Sequence, residues 1–465
     1  MSEQVRLNRE LTQSGATAIS TGLAFAAINF LAVAQLLQNV DARLAWVPII
    51  VAGLVMLAVR GLFAELDGMR PSAAGIRVWL QQAMHTRVAL IITLTYMTTV
   101  VLVIAADAYI IGEAVSWALH QSQAVAIGLV ALLLVLATVI NLRGIKLAGK
   151  AEQLATFTAV ALTLVVGVVA IVHPSTDGST PLGTTGHGGW VQALILGIFI
   201  YVGFEWVTTN SEEVTRPSII PRAMLVALGV LAVSWSVFAA GMGRALTDSA
   251  LTGAYPQLLV AQRAIGQGGM LLMLAVTGLT AVNTFNGGFV TLSRFMYALA
   301  REGTLPRPLA TLNDRAVPSV AVYVLGASSL ALAVVVAVTG SFAVMVSVGA
   351  ALETGIYASA AFVVWRLRGR EPETPRPYRF RGGRPLAAVL VVVFALLTVV
   401  AATSVGAGTS VTPLLVVVAF GVVAAAYVLL VVPRYERREA EELAARRAAR
   451  AASRAQRPPR PPESL

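Results

Sequence analysis

From about residue 16 to residue 432 the chain alternates long apolar runs with short polar segments. A helix needs about 20 mainly apolar residues to cross the hydrocarbon layer of a bilayer. Runs of that length predict spans near 16–37, 45–64, 88–117, 123–140, 153–172, 190–212, 222–243, 269–298, 318–338, 341–366, 385–405 and 411–432. The third and eighth are long for a ~30 Å core, so they tilt or project beyond it. The pattern predicts an all-α polytopic membrane protein of 12 transmembrane helices.

Twelve spans place both termini on one side, and the positive-inside rule tests that count. Of 34 Lys and Arg residues, only Arg43, Arg244 and Arg263 fall on the loops assigned to the outside. The segment Arg366–Arg384 carries seven, whereas 173–189 carries none. A wrong span count would scramble this alternation. The expected organisation is a cytoplasmic N-terminus (1–14), one membrane domain (15–432) and a basic, Pro-rich cytoplasmic tail (433–465). The first part of that tail reads as a short amphipathic helix against anionic headgroups, and the last part as disordered.

Composition agrees. The chain is 57% hydrophobic and 12% charged, against roughly 25% charge in soluble domains. The net charge of +11 could suggest nucleic acid, but the positions of the charges already explain it, so no nucleic-acid partner is expected. There is no cysteine, which rules out thiolate metal sites, a Cys nucleophile and a disulfide-linked partner. His85, His120, His173 and His187 form no metal-spaced pair. Met1–Arg9 lacks the basic-then-apolar pattern of a cleaved signal. The Ala/Val/Arg-rich composition fits a high-GC bacterial source, hence a plasma membrane.

The sixth span is interrupted. It runs through Gly197, Phe199, Tyr201, Val202, Gly203, Phe204 and Glu205, then Thr208, Thr209, Asn210, Ser211, Glu212 and Glu213. An acid at Glu205 lies well inside the span, where a carboxylate is costly unless protonated or paired. It reads as a gating, proton-relay or amine-binding acid, or as an acid that only caps a broken helix. Asp107 and Glu113 lie on the third span, Asn283, Asn286, Gly287 and Gly288 on the eighth, Glu353 on the tenth and Asn29 on the first. Glu113 sits near a span end and would be wet. Leu352-Glu353-Thr354-Gly355 could mark a helix irregularity, and the glycine pair could mark close helix packing.

Four stretches resemble the amino acid–polyamine–organocation (APC) transporter superfamily. The first is Ala64-Glu65-Leu66 with Pro71 to Leu80, which has Ala74 and Arg77 where Gly and Tyr are usual. The second is Asn141-Leu142-Arg143-Gly144-Ile145-Lys146. The third is Gly203-Phe204-Glu205 with Ser211-Glu212-Glu213-Val214, Arg216-Pro217 and Ile220-Pro221-Arg222-Ala223. The fourth is Ser293-Arg294, then Tyr297 to Pro306, ending at Val317-Pro318. Arg376-Pro377-Tyr378 is a looser echo. Their order matches over about 15–432.

The resemblance implies two inverted five-helix repeats (LeuT-like) plus two C-terminal helices, with a substrate site between spans 1, 3, 6, 8 and 10. It implies substrate contacts at Ala27, Ile28, Asn29, Tyr96, Phe199, Tyr201, Val202, Gly203, Phe285 and Phe289, and coupling or gating at Glu205 and Asp107. It implies no cofactor, with H+ or Na+ as the coupling ion. Two departures stand out. Members usually hold a substrate carboxylate on a first-span Gly-x-Gly, but here the stretch is Ala27-Ile28-Asn29-Phe30 and the nearest glycine is Gly22. Asn29 could supply an amide donor instead. The lysine that some members carry in the fifth span is also missing from 153–172.

The leading expectation is a secondary active transporter of amino acids or amino-acid derivatives, with an amine or polyamine transporter or exchanger as the alternative. A non-transporting sensor is a second class. An enzyme is not expected, because no Ser/His/Asp or metal constellation is visible. No phosphate-binding Gly-x-x-x-x-Gly-Lys-Ser/Thr loop points to ATP-driven transport.

Overall fold

The computed structural model describes residues 11–72, 75–144, 149–173, 189–211, 213–251, 255–405, 408–435 and 437. Residues 1–10, the tail 438–465, and Ala73, Ala74, Ile145, Lys146, His187 and Glu212 lie outside the described residues.

The apolar runs fold as helices: α1 Gln13–Ala24, α2 Ile28–Leu37, α3 Trp46–Met69, α4 Gly75–Ala83, α5 Thr86–Ala118, α6 Gln123–Leu142, α7 Gly149–Val172, α8 Trp190–Phe199, α9 Ile219–Ala245, α10 Asp248–Leu251, α11 Pro256–Ile265, α12 Gln267–Arg301, α13 Ser319–Thr339, α14 Phe342–Arg370, α15 Gly383–Ala402 and α16 Thr412–Ala426. Among the described residues, eleven helical segments are long and apolar enough to cross a membrane, and the pair α1/α2, bent by 58°, makes a twelfth. Helices are the economical solution in lipid, because each satisfies its own backbone polar groups.

Burial separates the central spans from the lipid-facing ones. The Trp190–Asn210 span has 83% of its apolar window buried inside the protein, and the Thr412–Tyr435 span only 17%. The first is therefore walled by other helices, and the second presents Leu415, Val418, Val422 and Val423 outward. Where helices cross closely, small residues meet: a Cβ on Gly241 of α9 would lie 2.5 Å from the Gly167 carbonyl of α7. Only glycine lets the two backbones approach so closely.

Three local details differ from the sequence expectation. The second span does not end at 64, since α3 runs on to Met69 and carries Glu65 and Asp67, both buried. These acids are tolerated there because Glu65 is paired with arginines and Asp67 accepts a hydrogen bond from Ser211. A short helix, α4, packs Ile76, Trp79, Leu80 and Ala83 inward, too brief a run to stand out in a span-length window. The eleventh span stops at Ala402, and Ser404–Val405 pairs antiparallel with Gly408–Thr409. The glycine pair on α12 is a packing contact: a Cβ on Gly287 would meet Leu23 at 2.5 Å, and one on Gly288 would meet Ile104 at 2.9 Å.

One end of the bundle is tied by buried ion pairs. Glu65 accepts Arg368 Nε at 2.8 Å, Arg368 Nη2 at 2.6 Å and the Phe380 amide at 2.7 Å, and Arg376 Nε lies 3.2 Å from it. This joins α3, α14 and the segment after α14. Nearby, Arg77 of α4 pairs with Glu302 at the end of α12 at 2.9 Å.

Candidate substrate site at the two helix breaks

The first and sixth spans break beside each other. In the first, α1 ends at Ala24 and α2 starts at Ile28. In the sixth, α8 ends at Phe199, and a 3-10 turn Phe204–Asn210 resumes the span after Gly203. Gly203 adopts φ +104°, a left-handed conformation that costs any other residue strain. A Cβ there would also lie 2.7 Å from the Leu23 carbonyl. Gly203 thus allows both the kink and the contact between the breaks.

The two breaks are stapled together. Asn29 Nδ2 donates to the Ala24 carbonyl at 2.7 Å and to the Ile200 carbonyl at 3.2 Å, so it bonds one freed carbonyl from each span. Ser20 Oγ donates to the Phe204 carbonyl at 2.6 Å. The Asn29 amide is therefore committed to the scaffold rather than offered to a ligand carboxylate. The first free N–H of α2, on Ile28, donates at 2.9 Å to Asp107 Oδ1 of α5. Asp107 is fully buried, with Thr284 of α12 beside it.

Glu205 occupies the first turn after the second break. Its Oε2 accepts from the Tyr357 hydroxyl of α14 at 3.3 Å. Glu353, one turn before Tyr357 on α14, is a second fully buried carboxyl in the same region, near enough for its charge to act on Glu205. Tyr357 has one hydroxyl proton and gives it to Glu205. Both Glu353 oxygens and Glu205 Oε1 are thus without an N–H or O–H donor from the other described residues. Helix α14 is continuous through Glu353, with no irregularity there.

Aromatic rings pack on Tyr357 and on Trp206, the residue after Glu205. Tyr96 meets the Trp206 ring edge-on at 6.2 Å. Phe63 meets Tyr357 at 6.2 Å and Trp79 at 5.9 Å. Phe63, Trp79, Tyr96, Trp206, Thr209 and Phe295 are among the walls of a cavity of about 40 Å3. A second cavity, about 940 Å3, lies near the ion-paired end, with Arg60, Asp67, Ser211, Arg222 and Tyr378 on its walls.

Of the other expected residues, Ala27, Ile28 and Asn29 form the first break, and Tyr201, Val202 and Gly203 the second, all buried. Tyr201 is turned away from the acid pair, its hydroxyl donating to the Ile49 carbonyl of α3 at 3.0 Å. Phe199 packs on Gly349 of α14. Phe285 and Phe289 are buried on α12 in the layer that holds Trp206. Glu113 is away from the breaks and accepts from Tyr255 at 2.7 Å. Sequence reasoning missed Tyr357, Trp206 and Phe63. Tyr357 stands four residues, one helical turn, after Glu353, and that spacing was the available signal. Among the described residues, no group of three His, Cys, Asp or Glu side chains could hold a metal ion.

The amino acid permease family model matches residues 11–425. The chain belongs to the amino acid permease family. The chain is similar to the branched-chain amino acid permease of Bacillus subtilis, at 27% identity over 259 residues, covering 54% of each chain. It is similar to the branched-chain amino acid permease of Lactococcus lactis at 28% identity, covering 52% of this chain and 53% of the relative. It is similar to the gamma-aminobutyric acid permease of Bacillus subtilis at 24%, covering 57% and 60%. The chain thus spans about half the length of the curated relatives it matches. Among solved structures it resembles a manganese transporter from Eremococcus coleocola, with TM-score 0.61 and 12% identity over 92% of this chain and 95% of that one. At that identity the likeness shows the fold alone, which is the LeuT-like transporter architecture, with its broken first and sixth spans.

Proposed function

We propose that this permease is a secondary active transporter that moves amino acids or amino-acid derivatives across the plasma membrane by alternating access. Its substrate is held between the two helix breaks, and both termini face the cytoplasm. The observation that carries the reading is the pairing of the breaks at Ala24–Ile28 and Phe199–Phe204, joined through Asn29. Broken spans free backbone groups near the middle of the membrane, and such groups are where transporters of this architecture hold substrate and coupling ions. The names of the relatives support amino acids or close derivatives as cargo.

Coupling falls to Glu205. It is a fully enclosed acid on the span that breaks, hydrogen-bonded to α14 through Tyr357, so a proton arriving or leaving there would change how the two elements hold each other. H+ is the coupling ion this arrangement favours, and no resident cofactor is needed. Asp107 is assigned to the first break rather than to the relay, because it holds the Ile28 amide directly.

A thermal-shift screen of the purified protein against amino acids, amines and polyamines tests the reading. A ligand that binds the folded state raises the melting temperature by mass action. At least one compound should stabilise the protein in a saturable way. Silence across the whole set would contradict the proposal.

A further inference from the structure

We infer that the large cavity at the inner ends of α3 and α9 binds the headgroup of an anionic phospholipid, with the phosphodiester held by Arg60 and Arg222 and the headgroup hydroxyls by Asp67. The cavity is separate from the helix breaks, and the inference does not depend on which solute is carried.

The cavity, about 940 Å3, is bounded by the end of α3, the segment before α9, the first turn of α9, and Pro377-Tyr378 after α14. It lies at the level of the membrane surface. Arg60 Nε donates at 2.8 Å to the Pro221 carbonyl in the first turn of α9, so Arg60 sits where that span begins. The same end carries the arginines between 366 and 384, and the positive-inside rule assigns that side to the cytoplasm. Ala64, Val214 and Ile220 give the cavity apolar walls. Such walls favour burial of the carbon-rich part of a lipid next to its headgroup.

The charges on the walls do not balance. Arg60 Nη1 donates to the Tyr378 hydroxyl oxygen at 3.1 Å, and its guanidinium lies 5.4 Å from the centre of that ring. Both of its hydrogen-bond partners among the described residues are neutral. Neither Arg60 nor Arg222 forms an ion pair among the described residues, whereas Arg77, Arg294, Arg368 and Arg376 do. Two guanidiniums facing one partly enclosed space repel each other, and an anion between them turns that repulsion into attraction. The planar guanidinium fork matches phosphate oxygens, and its five N–H donors exceed the two that Arg60 gives to described partners. Tyr378 accepts from Arg60 and so keeps its own hydroxyl proton to donate. The N-cap of α9, Ser218, makes no side-chain cap bond, so the helix start adds positive potential.

Asp67 decides which headgroup fits. It is the acid among the described residues on the walls, it is buried, and it accepts from the Ser211 hydroxyl. A carboxylate accepts more than one hydrogen bond. It therefore selects a headgroup whose hydroxyls donate, as those of phosphatidylglycerol do. The choline of phosphatidylcholine has no donor to offer.

The test uses the full-length protein, purified in detergent, stripped of lipid and titrated with lipids of identical acyl chains. Bound lipid is counted by native mass spectrometry. Phosphatidylglycerol should bind at least fivefold more tightly than phosphatidylcholine or phosphatidylethanolamine. Binding of either of those as tight as phosphatidylglycerol overturns the inference. Phosphatidylmethanol keeps the anionic phosphodiester but has no headgroup hydroxyl. It should bind at least threefold more weakly than phosphatidylglycerol, and equal binding overturns the role of Asp67. Arg222 is exposed, so Arg222→Gln should fold. It should weaken phosphatidylglycerol at least fivefold, while Arg43→Gln, at an exposed arginine near the other end of α3, should leave it unchanged. Equal losses in the two variants would mean a general charge effect and overturn the site. Water-soluble glycerophosphoglycerol is the last arm. Binding as tight as the lipid would assign the cavity to a free phosphodiester and overturn the lipid source.

Discussion

The Tyr357 hydroxyl donates to Glu205 Oε2 at 3.3 Å, connecting the broken sixth span to the unbroken tenth. Through this bond and the neighbouring Glu353 carboxyl, the protonation of one buried acid is linked to the packing of a whole helix. Glu205→Gln preserves shape and removes the titration. We expect it to reduce uptake at least tenfold and to flatten its pH dependence between about pH 5 and 8, with expression unchanged. Uptake like wild type across that range would remove Glu205 from coupling.

Glu205 and Glu353 share one environment, so their effects should not add. Residues in direct contact commonly show interaction energies of about 0.5–3 kcal/mol in double-mutant cycles. The double variant Glu205→Gln/Glu353→Gln should be clearly less impaired in thermal stability than the sum of the single variants. Strict additivity would mean that the two carboxyls act independently.

Gly203 has a backbone role that no side chain can fill. Its φ is +104°, and a Cβ added there would lie 2.7 Å from the Leu23 carbonyl. Gly203→Ala must therefore both strain the turn and push the breaks apart. A residue held in such a conformation costs about 1–3 kcal/mol. The variant should melt at lower temperature and lose substrate binding. Binding equal to wild type would show that the approach of the two breaks is not required.

The ion cluster at Glu65 should matter more than an ordinary surface pair. Glu65 is 1% exposed and is held by Arg368, Arg376 and the Phe380 amide. Removing one partner of a buried pair leaves an uncompensated charge and costs about 3–5 kcal/mol. Glu65→Ala leaves Arg368 and the enclosed Arg376 without their acid and should therefore lower the melting temperature markedly in detergent. A negligible change would place the cluster in the class of weak exposed pairs.

Tyr255 lies outside the spans and donates to Glu113 Oε2 at 2.7 Å. Burial first, and then the Glu113 carboxylate, push its hydroxyl above the ordinary tyrosine range. A group whose folded value is raised contributes stability at pH values below its unfolded value and loses it as pH climbs past that point. Tyr255→Phe should cost about 1–2 kcal/mol, constant from pH 6 to 9, and the gap to wild type should shrink above pH 10. A gap that widens with alkaline pH would contradict this hydrogen-bond assignment.

Much of the architecture was legible in the chain. Span-length apolar runs and the glycine at 203 signalled twelve crossings and the second break, because lipid imposes a length and glycine marks a conformation others avoid. The first break was harder to locate. Ala27-Ile28-Asn29 has no glycine, and its geometry depends on Asn29 and Asp107, which come from opposite ends of a long sequence separation. Asp107 and Glu205 were visible as acids inside spans, but their assignments differ for a tertiary reason: one caps α2 and the other meets α14. Tyr357 and Phe63 looked like ordinary aromatic core residues until α3 and α14 were brought together around Glu205.

The central claim is movement of a small molecule across the membrane around the paired breaks, and the most direct measurement is counterflow in proteoliposomes. Vesicles are loaded with a ligand found by thermal shift and diluted into a trace of the same labelled compound. The account predicts transient, saturable accumulation above protein-free vesicles, lost in Gly203→Ala and strongly reduced in Glu205→Gln. Binding without any accumulation by folded wild-type protein would contradict it and leave a sensor in place of a transporter.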